Sequence, residues 1–241
     1  MAFNFGSLAN TEAVSNKQPM LEPWGIYDVK FAGATKDTVQ GVKDPSQTYQ
    51  ILRVRFENAD GYYEQSLFYP KDGDDKRPTY TAADGHEYQG ASSFERTMSF
   101  IAQVASVLNP EGYKKMQAAS SKFKSFDNVA DAFIKIMTPV IGKETKLKVC
   151  GRNVDGRVLP TIGKFLGVNK KGELFVSDNF VGNKVFFSSY ETKRMNEYKN
   201  AKPTPVYNPF DNAMAPKPMA ATSQQKVEES SDDDLDFDNL L

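Results

Sequence analysis

One cysteine, one histidine and one tryptophan occur in 241 residues, and each scarcity closes off a class of function. Cys150 has no internal disulfide partner, so no covalent staple and no paired-thiol chemistry is available. With His86 alone, a multi-histidine metal centre cannot be assembled, and a Ser-His-Asp triad would hang on the loop that holds His86. No apolar run of about 18 residues exists to span a bilayer. No Gly-Lys-Ser or Gly-Lys-Thr phosphate loop occurs, and the start, Met-Ala-Phe-Asn-Phe-Gly, has neither the basic head nor the apolar stretch of a secretory signal. Asp72, Asp74 and Asp75 imitate the opening of a calcium loop, but Arg77 stands where glycine is required and no glutamate closes it. These absences point to a soluble, cytoplasmic protein that is not an enzyme, with no catalytic residues, no metal, no cofactor and no membrane contact.

Charge is what the chain has, unevenly. Residues 226–241 carry seven carboxylates and one lysine, a net of −6 that leaves residues 1–225 at +5. Within that body, residues 141–205 hold 13 Lys or Arg against 6 Asp or Glu, whereas residues 19–90 hold 8 against 12, so the later part should present the positive surface. A basic body tied to an acidic string lets the string compete with a polyanion for the same surface. Phe and Tyr supply 28 of the 29 aromatic residues, more than a small core demands.

Residues 1–22 are polar and aperiodic and read as a flexible N-terminal arm, with Phe3 and Phe5 as anchors for a homo-oligomer. From Gly25 to Ala34, Tyr27, Val29 and Phe31 alternate with Asp28 and Lys30, the period of a half-buried strand. Leu52, Val54 and Phe56 oppose Arg53 and Arg55 in a second strand, and Asn58-Ala59-Asp60-Gly61 turns the chain into a third at Tyr62–Tyr69. Residues 70–90 read as a long exposed loop. Ser92 and Glu95 form a capping box ahead of a helix whose inner face is Phe94, Met98, Ile101, Ala105 and Leu108, and Asn109-Pro110 stops it. Helices are expected again over Glu111–Ser121 and after Ser125 or Asp127, the last with Val129, Phe133, Ile136 and Met137 inward. Period two then returns: Leu147 and Val149 against Lys146, Lys148 and Cys150, a strand over Arg157–Val168 bent by Pro160 and Gly163, and strands at Glu173–Ser177 and Lys184–Ser188.

Three strands, a helical block, then further strands is the element order of an OB-fold. The expectation is a mainly β, α+β domain over residues 23–200: an OB-like five-stranded barrel with a helical insertion at 91–138, or another mixed sheet of the same order. Five prolines between Pro203 and Pro218 mark residues 201–225 as a disordered linker, ahead of the acidic tail.

Single-stranded nucleic acid needs cations along its phosphates and rings for its bases. Lys143, Lys146, Lys148, Arg152, Arg157, Lys164, Lys170 and Lys171 lie close in sequence to Phe165, Phe175, Phe180, Phe186 and Phe187. Lys30, Arg53 and Arg55 share the outer face of the early strands, where Tyr62 and Tyr69 could stack. The competing reading fills the barrel with the phenylalanines and pairs Arg53 or Arg55 with Glu64.

The closing residues Ser231-Asp232-Asp233-Asp234-Leu235-Asp236-Phe237-Asp238-Asn239-Leu240-Leu241 resemble the acidic tail of bacterial and phage single-stranded DNA-binding proteins. In that family a disordered linker ends in Asp residues followed by a few apolar ones, which dock on replication and repair enzymes. The family's Pro-Phe terminus is absent here, and Phe237 with Leu240 and Leu241 would take the anchoring role beside Asp232, Asp233, Asp234, Leu235, Asp236 and Asp238. The resemblance implies sequence-independent binding and protection of single-stranded DNA in phage-type replication, recombination and repair, in the host cytoplasm, with the tail recruiting replication and recombination proteins. The rivals are a protein-only adaptor or virion component and a magnesium-dependent nucleic-acid enzyme.

Overall fold

The computed structural model describes residues 18–41, 44–71, 73–81 and 85–200. Most of the expected arm, and all of the linker and acidic tail with its docking residues, lie outside the described residues. In chain order the elements are β1 (Gly25–Gln40), β2 (Thr48–Glu57), β3 (Tyr62–Phe68), β4 (Thr79–Thr81), β5 (Glu87–Gln89), α1 (Ser93–Leu108), α2 (Pro110–Ala118), α3 (Phe126–Met137), β6 (Glu144–Val154), β7 (Arg157–Thr161), β8 (Leu166–Val168), β9 (Leu174–Val176) and α4 (Ser189–Asn200).

β1 runs longer than its alternation suggests because it serves two partners. Residues 25–30 pair with β6 and residues 30–40 with β2, all antiparallel. Between the two halves the register shifts at Phe31/Gly33, and Gly33, at φ +135°, bends the strand as a bulge does. The Asn58 side-chain oxygen accepts from the N–H groups of Asp60 (2.9 Å) and Gly61 (3.0 Å), closing the β2–β3 turn. Helix starts follow local chemistry too. Ser92 Oγ accepts from the Glu95 N–H at 3.1 Å while the Glu95 carboxylate accepts from the Ser92 N–H at 2.8 Å. Asn109 ends α1, accepts from the Gly112 N–H to start α2, and donates its amide to the Ile136 carbonyl at 2.6 Å, which ties α2 to α3.

The result is an α+β fold. Five antiparallel strands form a sheet in the order β3-β2-β1-β6-β7, and α1 and α3 pack on it over a shared core. Phe31, Leu52, Val54 and Phe56 from the sheet meet Ile101, Val104, Leu108, Phe133 and Met137 from the helices, all with 1 % exposure or less. Each such side chain contributes about 1.5–3 kcal/mol by leaving water. The sheet is open: no ladder joins β7 to β3 among the described residues. A side chain links the two edges instead, the Ile162 N–H bonding to the Tyr63 phenol, whose pKa burial pushes well above its ordinary value.

Several expectations are corrected. The 70–90 loop contains the β4–β5 hairpin, with Tyr80 stacked on Tyr88 at 5.3 Å. Phe94 is exposed, and Phe100 and Val104 take the core positions beside Ile101. Arg157–Val168 is not one bent strand: the chain leaves the sheet after Thr161, and β8 pairs with β9 in a separate hairpin. The break falls at Gly163, where an added Cβ would lie 2.6 Å from Glu191 Oε1 and 2.7 Å from Cys150 Sγ, so only glycine passes beneath α4 there. Lys184–Ser188 is not a strand. It leads into α4, whose start repeats the α1 device: the Glu191 carboxylate accepts from the Ser188 N–H at 2.8 Å and Ser188 Oγ from the Glu191 N–H at 3.2 Å. Among the described residues, no helix is long and apolar enough to cross a membrane.

Candidate nucleic-acid interface

Alternation places Lys146, Lys148, Cys150 and Arg152 on one face of β6, with Leu147 and Val149 facing the core. The middle of that face is covered rather than solvated. Residues 180–182 run beside β6, the Lys148 N–H donating to the Phe180 carbonyl (2.7 Å) and the Gly182 N–H to the Lys146 carbonyl (2.9 Å), and α4 brings Glu191 over it. The Lys148 side chain is 1 % exposed, and its Nζ donates to both Glu191 oxygens, at 3.0 and 2.9 Å, and to Asp178. Burial by itself would lower the Lys148 pKa, but the Asp178 and Glu191 carboxylates raise it above the ordinary lysine value. Burial would likewise raise Glu191, yet bonds from Lys148, the Ser188 N–H and Cys150 hold it below the ordinary glutamate value. Lys148 and Glu191 are thereby both held in their ionised forms, each bonded to the other inside the site. Burial, reinforced by the Glu191 charge, pushes the Cys150 thiol far up, which leaves it unreactive.

That burial changes the surface. Residues 148–200 hold ten Lys or Arg and five Asp or Glu, and sealing Asp178 and Glu191 against Lys148 leaves nine cations against Asp155, Glu173 and Glu197, one more net positive charge than the sequence count. None of the nine cations is buried. The later part of the chain is thus more basic outside than its sequence count states.

The other predicted contacts divide. Lys143 donates to the Leu108 carbonyl at 2.6 Å, at the end of α1. Lys146 pairs with Asp28 (3.0 Å), Lys30 with Glu144 (3.7 Å), and Arg53 sits between Asp37 (2.7 Å) and Glu64 (2.6 Å). Arg55 lies 4.2 Å over the Tyr62 ring and 3.3 Å from Glu57. Tyr69 donates to Asp127 at 3.1 Å and meets Phe126 edge-on; burial and the Asp127 charge push its pKa up to about 12. Phe165 packs on Phe180 at 5.0 Å and on Phe100 at 6.5 Å, inside the molecule. The expected track along β6 is therefore broken at Lys148, and Tyr69 and Phe165 are structural rings. On the outer face of β1–β3, Lys30, Arg53 and Arg55 are each paired with a carboxylate of the protein.

Arg152, Arg157, Lys164, Lys170 and Lys171 remain on the basic side, where sequence reasoning did not say which rings face outward. Phe175, Phe186 and Tyr190 do, at 48 %, 63 % and 64 % exposure. Seven of the twelve exposed large apolar side chains among the described residues fall between Leu159 and Tyr198, so rings and cations share the same part of the chain. The segments that carry them converge: Gly163 abuts Glu191 and Cys150, residues 180–182 line β6, and α4 follows. The β8–β9 hairpin is fastened separately. Arg77 donates to the Gly172 carbonyl at 2.6 Å and forks onto the Glu95 carboxylate at 2.7–3.0 Å, which joins the hairpin tip to the start of α1.

Among the described residues no group of three or more His, Cys, Asp or Glu side chains is placed to hold a metal ion. Compared with protein-family models, with curated proteins and with solved structures, the chain matches none.

Proposed function

We propose that this chain binds single-stranded DNA without sequence preference and protects it during phage-type replication, recombination and repair. The strand would lie across the surface of residues 152–199, its phosphates on Arg152, Arg157, Lys164, Lys170 and Lys171. The observation that carries this reading is the coincidence of surplus cations with outward rings, after Asp178 and Glu191 have been withdrawn beneath Lys148. Both kinds of group on one surface suit an unpaired strand, because rings stack on bases of any identity while cations follow the backbone.

The fold supports the same reading. What supports an OB-like reading is a sheet ordered β3-β2-β1-β6-β7, a bulged first strand shared between two partners, and helices inserted before β6, in a sheet that is open between β3 and β7 among the described residues. The acidic segment 226–241 would compete for the basic surface when DNA is absent and present Phe237, Leu240 and Leu241 to replication proteins when the strand displaces it.

Titration with a dT oligonucleotide, using the full chain and a chain ending at residue 225, tests both parts. With about five phosphates neutralised, log affinity falls with log salt at a slope of roughly −3.5. The shortened chain should bind more tightly, most of all in dilute salt. Absence of salt-dependent affinity overturns the reading in favour of a protein-only adaptor, and metal-dependent shortening of labelled DNA would make the protein an enzyme.

A further inference from the structure

We infer that the β8–β9 hairpin grips the strand: Phe175 is a stacking platform for one unpaired base, Gly167 is the seat that lets its ring lie flat, and Lys170 and Lys171 take the neighbouring phosphates. This rests on the proposed single-stranded DNA binding and assigns its base contact.

Gly167 and Phe175 face each other across the hairpin, in the register Leu166↔Val176, Gly167↔Phe175, Val168↔Leu174. A Cβ on Gly167 would lie 2.6 Å from Phe175 Cζ, 2.9 Å from Cε1 and 3.2 Å from Cε2. Three ring atoms that close show the ring lying across the glycine backbone rather than standing away from the hairpin. Its other side meets water, since the residue is 48 % exposed. A flat apolar ring backed by main chain and open on one side is what a splayed base requires, and it is sequence-tolerant.

The tip supplies the charge. The Asn169 side-chain oxygen accepts from the N–H groups of Lys171 and Glu173, both at 2.9 Å, and its amide donates to the Glu173 carboxylate at 2.8 Å. The one acidic side chain of the tip is thereby occupied by a neutral partner, while Lys170 and Lys171 are exposed and form no ion pair with a described residue. From the Gly167–Phe175 pair to the lysines is about three residues, roughly 10 Å along the strand. The platform is also held in place before any ligand arrives. Arg77 fixes the tip through the Gly172 carbonyl, and the Ser177 N–H bonds at the base (3.0 Å) to the carbonyl of Phe165, whose ring packs against the core. Fixing the hairpin beforehand lowers the ordering cost of binding.

The test uses the full chain and a dT oligonucleotide. Phe175→Ala should weaken binding about five- to one-hundred-fold. Gly167→Val keeps the ring but lifts it from its seat, and should weaken binding to a similar degree. Phe175→Trp should restore affinity, and the emission of the introduced indole should be quenched on titration while buried Trp24 supplies a constant background. Thermal melts of the variants confirm that the body is folded. Wild-type binding with both Phe175→Ala and Gly167→Val within about two-fold of it overturns the platform and leaves the function standing. Wild-type chain that binds no oligonucleotide overturns the functional reading, and the platform with it.

Discussion

Replacing Lys148 by Met tests the buried triad on which the surface argument depends. Methionine matches most of the lysine stem, so packing changes little. What is lost is the cation bonded to both Asp178 and Glu191, whose side chains are each 10 % exposed. Two like charges left in a sealed site cost about 3–5 kcal/mol, a large share of a typical stability of about 5–15 kcal/mol. With a urea slope near 2 kcal/mol/M, the midpoint should fall by about 2 M. The pH dependence should also invert. In the wild-type chain Glu191 is held below its ordinary value, so it contributes stability that is present above the unfolded value and lost as pH falls through the folded one. Without Lys148, burial raises the Glu191 pKa instead, so the variant should regain stability on acidification toward the unfolded value of about 4.3. Adding Asp178→Asn and Glu191→Gln should recover most of the loss at neutral pH. A Lys148→Met variant within about 1 kcal/mol of wild type at neutral pH would show that the two carboxylates reach water. The surface of residues 148–200 would then be no more basic than its sequence.

Arg77→Ala removes a forked bond to Glu95 and the hold on the Gly172 carbonyl, and should speed hydrogen exchange at the amides of residues 169–173; unchanged exchange would mean that the hairpin tip is held by other contacts. Acid titration of the wild-type chain, followed by circular dichroism, should show stability falling below about pH 4.3, because the Arg77 guanidinium holds Glu95 low and the Glu191 bonds do the same for that residue despite its burial. A midpoint flat from neutral pH down to pH values near 3 would remove both carboxylates from the stability account.

What could be read from the sequence was local. Leu52, Val54 and Phe56 alternate with Arg53 and Arg55, Ser92 reaches Glu95 three residues on, and Asn109-Pro110 both stops and starts a helix; these signals act within a few residues and predict β2, α1 and α2. Ser188 and Glu191 carry the same capping signature, and it could have revealed α4. No apolar stripe followed it, because α4 is held to β6 through Glu191 rather than through a greasy face. The fate of Lys148 was beyond any local rule. Its alternation marks a solvent face, and the groups that cover it come from Asp178 and Glu191, 30 and 43 positions along the chain. The same holds for the rings: sequence places Phe165 and Phe175 equally near the lysines, but only packing against Phe100 and Phe180 tells that the first is core.

Electrostatics then distinguishes the parts of the surface that a polyanion could meet. On the outer face of β1–β3, Arg53 already holds Asp37 and Glu64, and Arg55 lies between Glu57 and Tyr62. A phosphate arriving there gains each guanidinium only by displacing a carboxylate, and every carboxylate left within about 4 Å repels it by about 1 kcal/mol even in water. Exposed pairs are themselves worth at most about 1 kcal/mol, so the exchange returns close to nothing. Arg157, Lys170 and Lys171 have no described carboxylate to give up, and each phosphate they meet releases counterions without a protein partner being lost. On the proposed reading, the residues that form the best-defined charge pairs are for that reason the poorest contacts for DNA, and cations without a described acidic partner are the better ones.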